Sequence, residues 1–258
     1  MAVVTFWSDW KGEKGKTASM AVIATQLAFE NNYKVLIIDT KHNDTGISDC
    51  FWDASKSAAN LKFKDDSKRD IDTGVKGFAK AILSNKTSPE IITNYTKVVF
   101  KDRLEILTDE KSTPEEYAAN RPLFKDMINI ANKYYDLVFV DIDGPLEEEL
   151  VSEIMKISNI IVPTMTQSLR NLNTYLEMKN ENELLRGGNV INLVGRYDIS
   201  SKYNLKNVGR YIGSKKVYGI PYNTLFFEST HEGKVADYFI RFRKAKATDP
   251  GAKVTRRG

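Results

Sequence analysis

Lys16 and Thr17 close the run Trp10-Lys11-Gly12-Glu13-Lys14-Gly15-Lys16-Thr17, and their types suit the holding of phosphate. A lysine ammonium reaches outer phosphates as a point charge, and a threonine hydroxyl can ligate Mg²⁺. Gly12 and Gly15 would let the loop turn backbone N–H groups inward, with Glu13, Lys14 and Ala18 completing the cradle. A helix starting at this point adds unpaired N–H groups and the positive end of its dipole. An acid at a strand end belongs with such a loop, and two strands end in one. Asp141 closes the apolar run Leu137-Val138-Phe139-Val140, where a Mg²⁺-holding carboxylate would stand, and Asp39 closes Val35-Leu36-Ile37-Ile38. The usual phosphate-loop pattern begins with glycine, and here Trp10 takes that position.

These residues need strands to end beside one another and a helix to begin at the loop. The pattern supplies both. A strand is expected at 2–7, a helix with apolar Met20, Ile23, Ala24, Leu27 and Ala28 at 17–31, and buried strands at 34–39 and 137–141. Four successive apolar residues before each acid suit parallel strands covered on both faces. Between them lie expected helices at 47–59, 74–83 and 89–99, a charge-rich surface loop at 65–72 and a strand at 104–107. Thr113-Pro114-Glu115-Glu116 reads as a helix start, followed by the stripe Leu123, Met127, Ile130, Ala131 and Tyr134. Beyond Asp141 the expectation is helix 146–157, strand 159–162, helix 168–185, strand 190–194, helix 205–212, strand 217–220 and a final helix 228–243. The fold class is therefore α/β, a mostly parallel twisted sheet with helices on both faces. Ligands of such sheets bind at the carboxyl ends of the strands, which is where the loop, Asp39 and Asp141 fall.

Composition narrows the alternatives. The chain has 258 residues, 41% hydrophobic and 28% charged, which is globular rather than disordered and suits one large domain at 1–243. Cys50 is the single cysteine, which excludes an internal disulfide and fits a reducing cytoplasm. No apolar run approaches the roughly 18 residues of a membrane span, and charges interrupt any signal-peptide core. His42 and His231 have no partners at metal-ligand spacing. The net charge is +4, and residues 241–258 carry seven Lys or Arg against Asp249 alone, so the basic character lies in the tail.

Lys11-Gly12-Glu13-Lys14-Gly15-Lys16-Thr17 resembles the deviant Walker A loop of the ParA/MinD ATPases, P-loop proteins that bind ATP with Mg²⁺. The resemblance implies that Lys16 contacts the outer phosphates, that Thr17 and Asp141 hold Mg²⁺, and that Lys11 reaches across an ATP-bound homodimer to the partner's phosphates. Lys11 and Lys16 would thus be catalytic, with Asp39 from the family's Asp-x-Asp landmark. This chain reads Asp39-Thr40-Lys41, so Lys41 fills the position of the acid that orients water, and Glu13 replaces a second loop glycine. A charged lysine accepts no proton. Either Asp39 or Asp44 serves instead, or hydrolysis is weak, partner-dependent or absent. Leu193-Val194-Gly195-Arg196-Tyr197 and Ile220-Pro221 resemble two segments beside the nucleoside, which puts Arg196 and Pro221 near the base.

The same resemblance implies a function: cargo positioning, as in plasmid or chromosome partition, with nonspecific DNA as the track and a ParB-like adaptor as stimulator. Two other branches of the family fit parts of the sequence. One is a TadZ/CpaE-like polar scaffold with little or no hydrolysis; the other is a MinD-like ATPase cycling on a membrane. Arg241, Arg243, Lys244 and Lys246 are the candidate DNA contacts, beside Val235, Tyr238, Phe239 and Phe242 at helical spacing. That apolar stripe could face a membrane or pack on the domain. Residues 244–258 read as a disordered basic tail able to attract phosphates, and DNA is favoured over membrane.

Overall fold

Runs of residues too apolar to face water on either side need cover on both, and the computed structural model places them at the centre of one sheet. It describes residues 1–9, 14–53, 73–85, 88–109 and 112–248, with side chains through 241. The strands are β1 Ala2–Ser8, β2 Val35–His42, β3 Lys97–Phe100, β4 Leu104–Asp109, β5 Leu137–Asp143, β6 Ile160–Met165, β7 Asn192–Tyr197 and β8 Val217–Pro221. Their order is β3-β4-β2-β5-β1-β6-β7-β8, and every pair is parallel except β3 with β4.

Alternation along each strand feeds two cores. Val3, Trp7, Leu36, Ile38, Val138 and Val140 point into one. Val4, Phe6, Ile37 and Phe139 point into the other. The second core is closed by α1 Lys16–Glu30 and α2 Gly46–Asp49, through Met20, Ala21, Ala24 and Ile47. The first is closed by α3 Gly74–Leu83, α4 Pro114–Asn120, α5 Phe124–Ala131, α6 Glu149–Ile157, α7 Leu169–Glu181 and α8 Leu205–Ile212. The second core is completed near the carboxyl end by α9 Thr224–His231 and by the start of α10 Val235–Thr248. Each fully buried Leu or Ile contributes roughly 1.5–3 kcal/mol.

Some expectations change. Residues 89–99 are not one helix: a 3₁₀ segment Pro89–Asn94 is followed by β3, whose Val98 and Val99 favour a strand. The stripe after Thr113 is split at Pro122 into α4, a short 3₁₀ turn and α5. The start itself is as expected, with Thr113 and Glu116 forming a reciprocal cap. The final helix is two helices, α9 and α10. Gly233 separates them at φ +69°, packed so closely on Trp52 that a Cβ there would lie 2.3 Å from the Trp52 carbonyl carbon. The backbone of α10 continues to Thr248, past residue 243 where the domain was expected to end. The helix expected at 47–59 runs only as α2 Gly46–Asp49, and residues 50–53 are not helical. Residues 54–59, the expected loop at 65–72 and residues 249–258 lie outside the described residues.

Register brings the strand ends together. Phe6 pairs with Asp141, Ser8 with Asp143, and Asp39 with Asp141. The carboxyl ends of β1, β2 and β5 therefore meet at one crevice, with α1 starting from it.

Candidate functional site

Gly15 adopts a left-handed backbone, φ +74°, and turns the chain into α1. The Ser19 N–H closes the first helical turn on the Gly15 carbonyl at 2.9 Å. Lys16, one residue into that turn, is buried. Its Nζ lies 2.6 Å from Asp141 Oδ1 and 2.5 Å from Asp143 Oδ1, and donates to the Ile142 carbonyl at 2.7 Å. Ser8 donates a further hydrogen bond to Asp143, and Lys14 pairs with Asp9. Thr17 Oγ1 donates to Asp141 Oδ2 at 2.9 Å. The loop's lysine and threonine and the acid of β5 thus form one contact set.

Beside it sits a second cation. Lys41 Nζ is 3.1 Å from Asp44 Oδ2 and 3.4 Å from both Asp39 Oδ2 and Asp141 Oδ2. Burial alone would lower the Lys41 pKa, but Asp141, Asp39 and Asp44 more than offset it and raise it further. Burial also acts against ionised Asp141, yet Lys16 and Lys41 hold it down to about 2. Asp39 differs. It is fully buried, next to the negative Asp141, and has the Lys41 ammonium at 3.4 Å and the Lys41 N–H as partial compensation, so its pKa is raised well above the ordinary Asp value. Asp44, also on the cleft wall, is kept low by Lys41 against its own burial.

The state of Asp39 bears on stability. A raised folded-state pKa means that the ionised form disfavours folding above that pKa, and that the penalty fades as pH falls through it. Asp39→Asn should therefore be more stable than the wild type at pH 7 by about 1 kcal/mol, the lower end of what an incompletely compensated buried polar group costs. The gap should close as pH is lowered toward the ordinary Asp value of about 3.9. Urea unfolding across this range reads it, and a variant less stable than wild type at pH 7 would contradict the electrostatics.

The cleft has a volume of about 410 Å³ and is lined by Lys16, Thr17, Ala18, Lys41, Asp44 and Arg196, among others. From it runs a slot between Gly15, Ala18, Ser19 and the segment Ile220–Phe227, which includes Pro221. Arg196, at φ +49°, lies with its guanidinium 5.2 Å from the Phe227 ring centre. The structure thus gathers Gly15, Lys16, Thr17, Ala18, Asp141, Arg196 and Pro221. Asp39 stands behind Lys41 rather than on the cleft. Lys11, Gly12 and Glu13 lie outside the described residues. Arg241 is exposed on α10, while Arg243, Lys244 and Lys246 are placed there by backbone alone. On the same helix Val235 is buried and Tyr238 and Phe239 pack against the core, so these three residues of the stripe serve the domain; the side chain of Phe242 lies outside the described residues.

Tyr222, Asn223, Phe226, Phe227, Thr230 and His231 were missed by sequence reasoning. The signal was present in Asn223, whose side chain caps α9 by accepting from the Phe226 N–H at 2.9 Å.

Thr17 and Asp141 also fit a Mg²⁺ ion. Both are hard oxygen donors held 2.9 Å apart at the strand ends, the chemistry such an ion takes, and they would hold it. Buried Asp39 Oδ2 accepts no hydrogen bond among the described residues, which fits a site built around positive charge.

No protein-family model matches this sequence, and no curated protein matches it. Solved structures do resemble it. A ParA family ATPase from Chlorobium tepidum TLS superposes with a TM-score of 0.70 at 17% identity, over 97% of this chain and 94% of that one. The septum site-determining protein MinD from Pyrococcus horikoshii OT3, complexed with Mg-ADP, gives 0.64 at 16% identity, over 98% and 99%. A putative plasmid partition protein from Borrelia burgdorferi B31, bound to AMPPNP, gives 0.59 at 15% identity, over 96% and 99%. The chain has the fold of the ParA and MinD ATPases.

Proposed function

We propose that this protein is an ATPase of the deviant Walker A type, a nucleotide-switched homodimer that positions cellular cargo. The observation that carries the reading is the convergence of Lys16, Thr17 and Asp141 at the strand ends, under a cleft that continues into the Arg196–Pro221 slot. The structural relatives carrying Mg-ADP or AMPPNP support it.

In this reading the first turn of α1 and the loop N–H groups bind the phosphates, and the Lys16 ammonium neutralises them. Thr17 and Asp141 would hold Mg²⁺, which neutralises charge on the outer phosphates when bound. Arg196 and Pro221 flank the base. Lys11 would complete the site of a second copy, making dimerisation a condition of turnover. Lys41 stands where an acid would orient water, so hydrolysis is slow and depends on an adaptor of the ParB kind. DNA is the favoured track, since the tail is basic and Val235, Tyr238 and Phe239 of α10 pack within the domain.

Phosphate-release assays and light scattering of the ATP-bound protein test this. The expected results are ATP-dependent dimers and slow release. ATP-bound protein should retard DNA on a gel, and loss of residues 244–258 should abolish the shift. A monomer in ATP, or a shift that survives the deletion, contradicts the dimer or the tail respectively. Lys41 itself favours a second reading, a polar scaffold that binds ATP without turnover. Tight binding with no release under any condition would select it.

A further inference from the structure

Lys41 is not needed to grip phosphate through the loop, yet it is built into the floor of the same cleft. Only 8% of it is exposed, and its three carboxylate contacts span 3.1–3.4 Å. Tight charge-assisted hydrogen bonds run at about 2.7–2.9 Å. The ammonium is therefore shared in the field of Asp39, Asp44 and Asp141 rather than locked to one of them. Asp39 Oδ2 accepts no hydrogen bond and has Lys41 Nζ as its ion-pair partner among the described residues. Asp141 Oδ2 meets Lys41 on one side and Thr17 Oγ1 on the other. Lys41 thus stands against the oxygen that would ligate Mg²⁺.

We propose that Lys41 is a resident cation of this cleft, doing for Asp39 and Asp141 part of what a divalent ion would do, so that nucleotide binding depends only weakly on Mg²⁺. The inference rests on the nucleotide reading above. Its physics is a charge balance. A metal-free triphosphate entering the cleft meets Asp44, Asp49 and Asp143 on its wall, with Asp141 and Asp39 close behind. Lys16 and Lys41 oppose them directly, with Arg196 also on the wall. Removing one of the two ammoniums that touch these acids, in a partly desolvated site, raises the repulsion, and a divalent ion then relieves it. Conversely, Lys41 repels a metal ion approaching Asp141, so the bare ion should bind the wild type poorly.

The test compares a fluorescent ATP analogue binding in excess Mg²⁺ and in excess EDTA. In the wild type the affinity should fall less than about threefold on removing the metal, and in Lys41→Gln more than about tenfold, a difference well within titration accuracy. Lys41→Arg, which keeps the charge, should retain the wild-type ratio. Calorimetric titration with Mg²⁺ alone should give tighter binding to Lys41→Gln than to the wild type. If Lys41→Gln does not fold, Lys41→Met, which keeps an unbranched chain in the buried position without its charge, is read in the same way. Equal, steep metal dependence in wild type and variants overturns the role of Lys41 while leaving the nucleotide reading intact. Failure of the wild type to bind the analogue in either condition overturns both.

Discussion

Lys16→Ala is expected to weaken nucleotide binding by about a hundredfold and to lower stability by about 3 kcal/mol. The first figure follows from a charged hydrogen bond worth about 1.5–3 kcal/mol, at a factor of ten per 1.4 kcal/mol. The second has a different origin. Lys16 is buried between Asp141 and Asp143, and its removal leaves those carboxylates short of a cation in a place water scarcely reaches. Breaking one side of a buried pair costs about 3–5 kcal/mol, and Lys41, still 3.4 Å from Asp141, keeps the loss near the lower end. Titration with a fluorescent nucleotide reads the one effect and urea unfolding the other. Unchanged affinity would remove the basis of the proposed function. Unchanged stability would mean that the acids are solvated rather than held by Lys16.

Gly195→Ala carries the second large effect, from a residue with no chemistry of its own. A Cβ on Gly195 would stand 2.0 Å from the Lys14 carbonyl oxygen and 3.1 Å from its carbon. Both are backbone atoms of the phosphate loop, so no side chain can swing aside. Either β7 or the loop must shift, at a cost of about 1–3 kcal/mol for overpacking. A loop displaced this way no longer aims its N–H groups, so nucleotide affinity should drop by at least about tenfold. Gly188→Ala is the matched control, because a Cβ there meets nothing within 4 Å. Thermal melting and nucleotide titration of both variants decide it; two indistinguishable variants would show that the close approach of β7 is incidental.

What the sequence disclosed, and what it did not, follows from how local each signal is. Lys16, Thr17 and Asp141 were legible because each sits at a fixed offset from an apolar strand, and parallel register then aligns the strand ends. Lys41 was visible as a departure from a pattern, but its sharing among three carboxylates was not, since Asp141 is a hundred residues away. Gly195 fell just past the expected strand 190–194, in the segment read as lying beside the nucleoside, and its contact with Lys14 exists through tertiary approach alone. The slot residues Tyr222 to Phe227 were hidden because the last helical stretch reads as starting at 228, whereas α9 starts at Thr224 behind its Asn223 cap. Lys97–Phe100 was absorbed into a helix because a four-residue edge strand has too short a period to declare itself.

The position of β1 has a bearing on how the chain comes into being. Ala2 pairs with Leu137 and Val4 with Ile160, so the strand that carries the phosphate loop has no sheet neighbour in the first half of the polypeptide. During synthesis Val3-Val4-Thr5-Phe6-Trp7 emerges before either of its partners, and both its edges stay open until β5 and β6 are made. Pairings of such long range form slowly and leave intermediates prone to aggregate. A ribosome-bound chain halted before residue 137 therefore has the glycines and lysines of the loop but neither the acid nor the sheet that would hold them in place. The site can therefore be assembled only after β5 is made, more than a hundred residues after its loop.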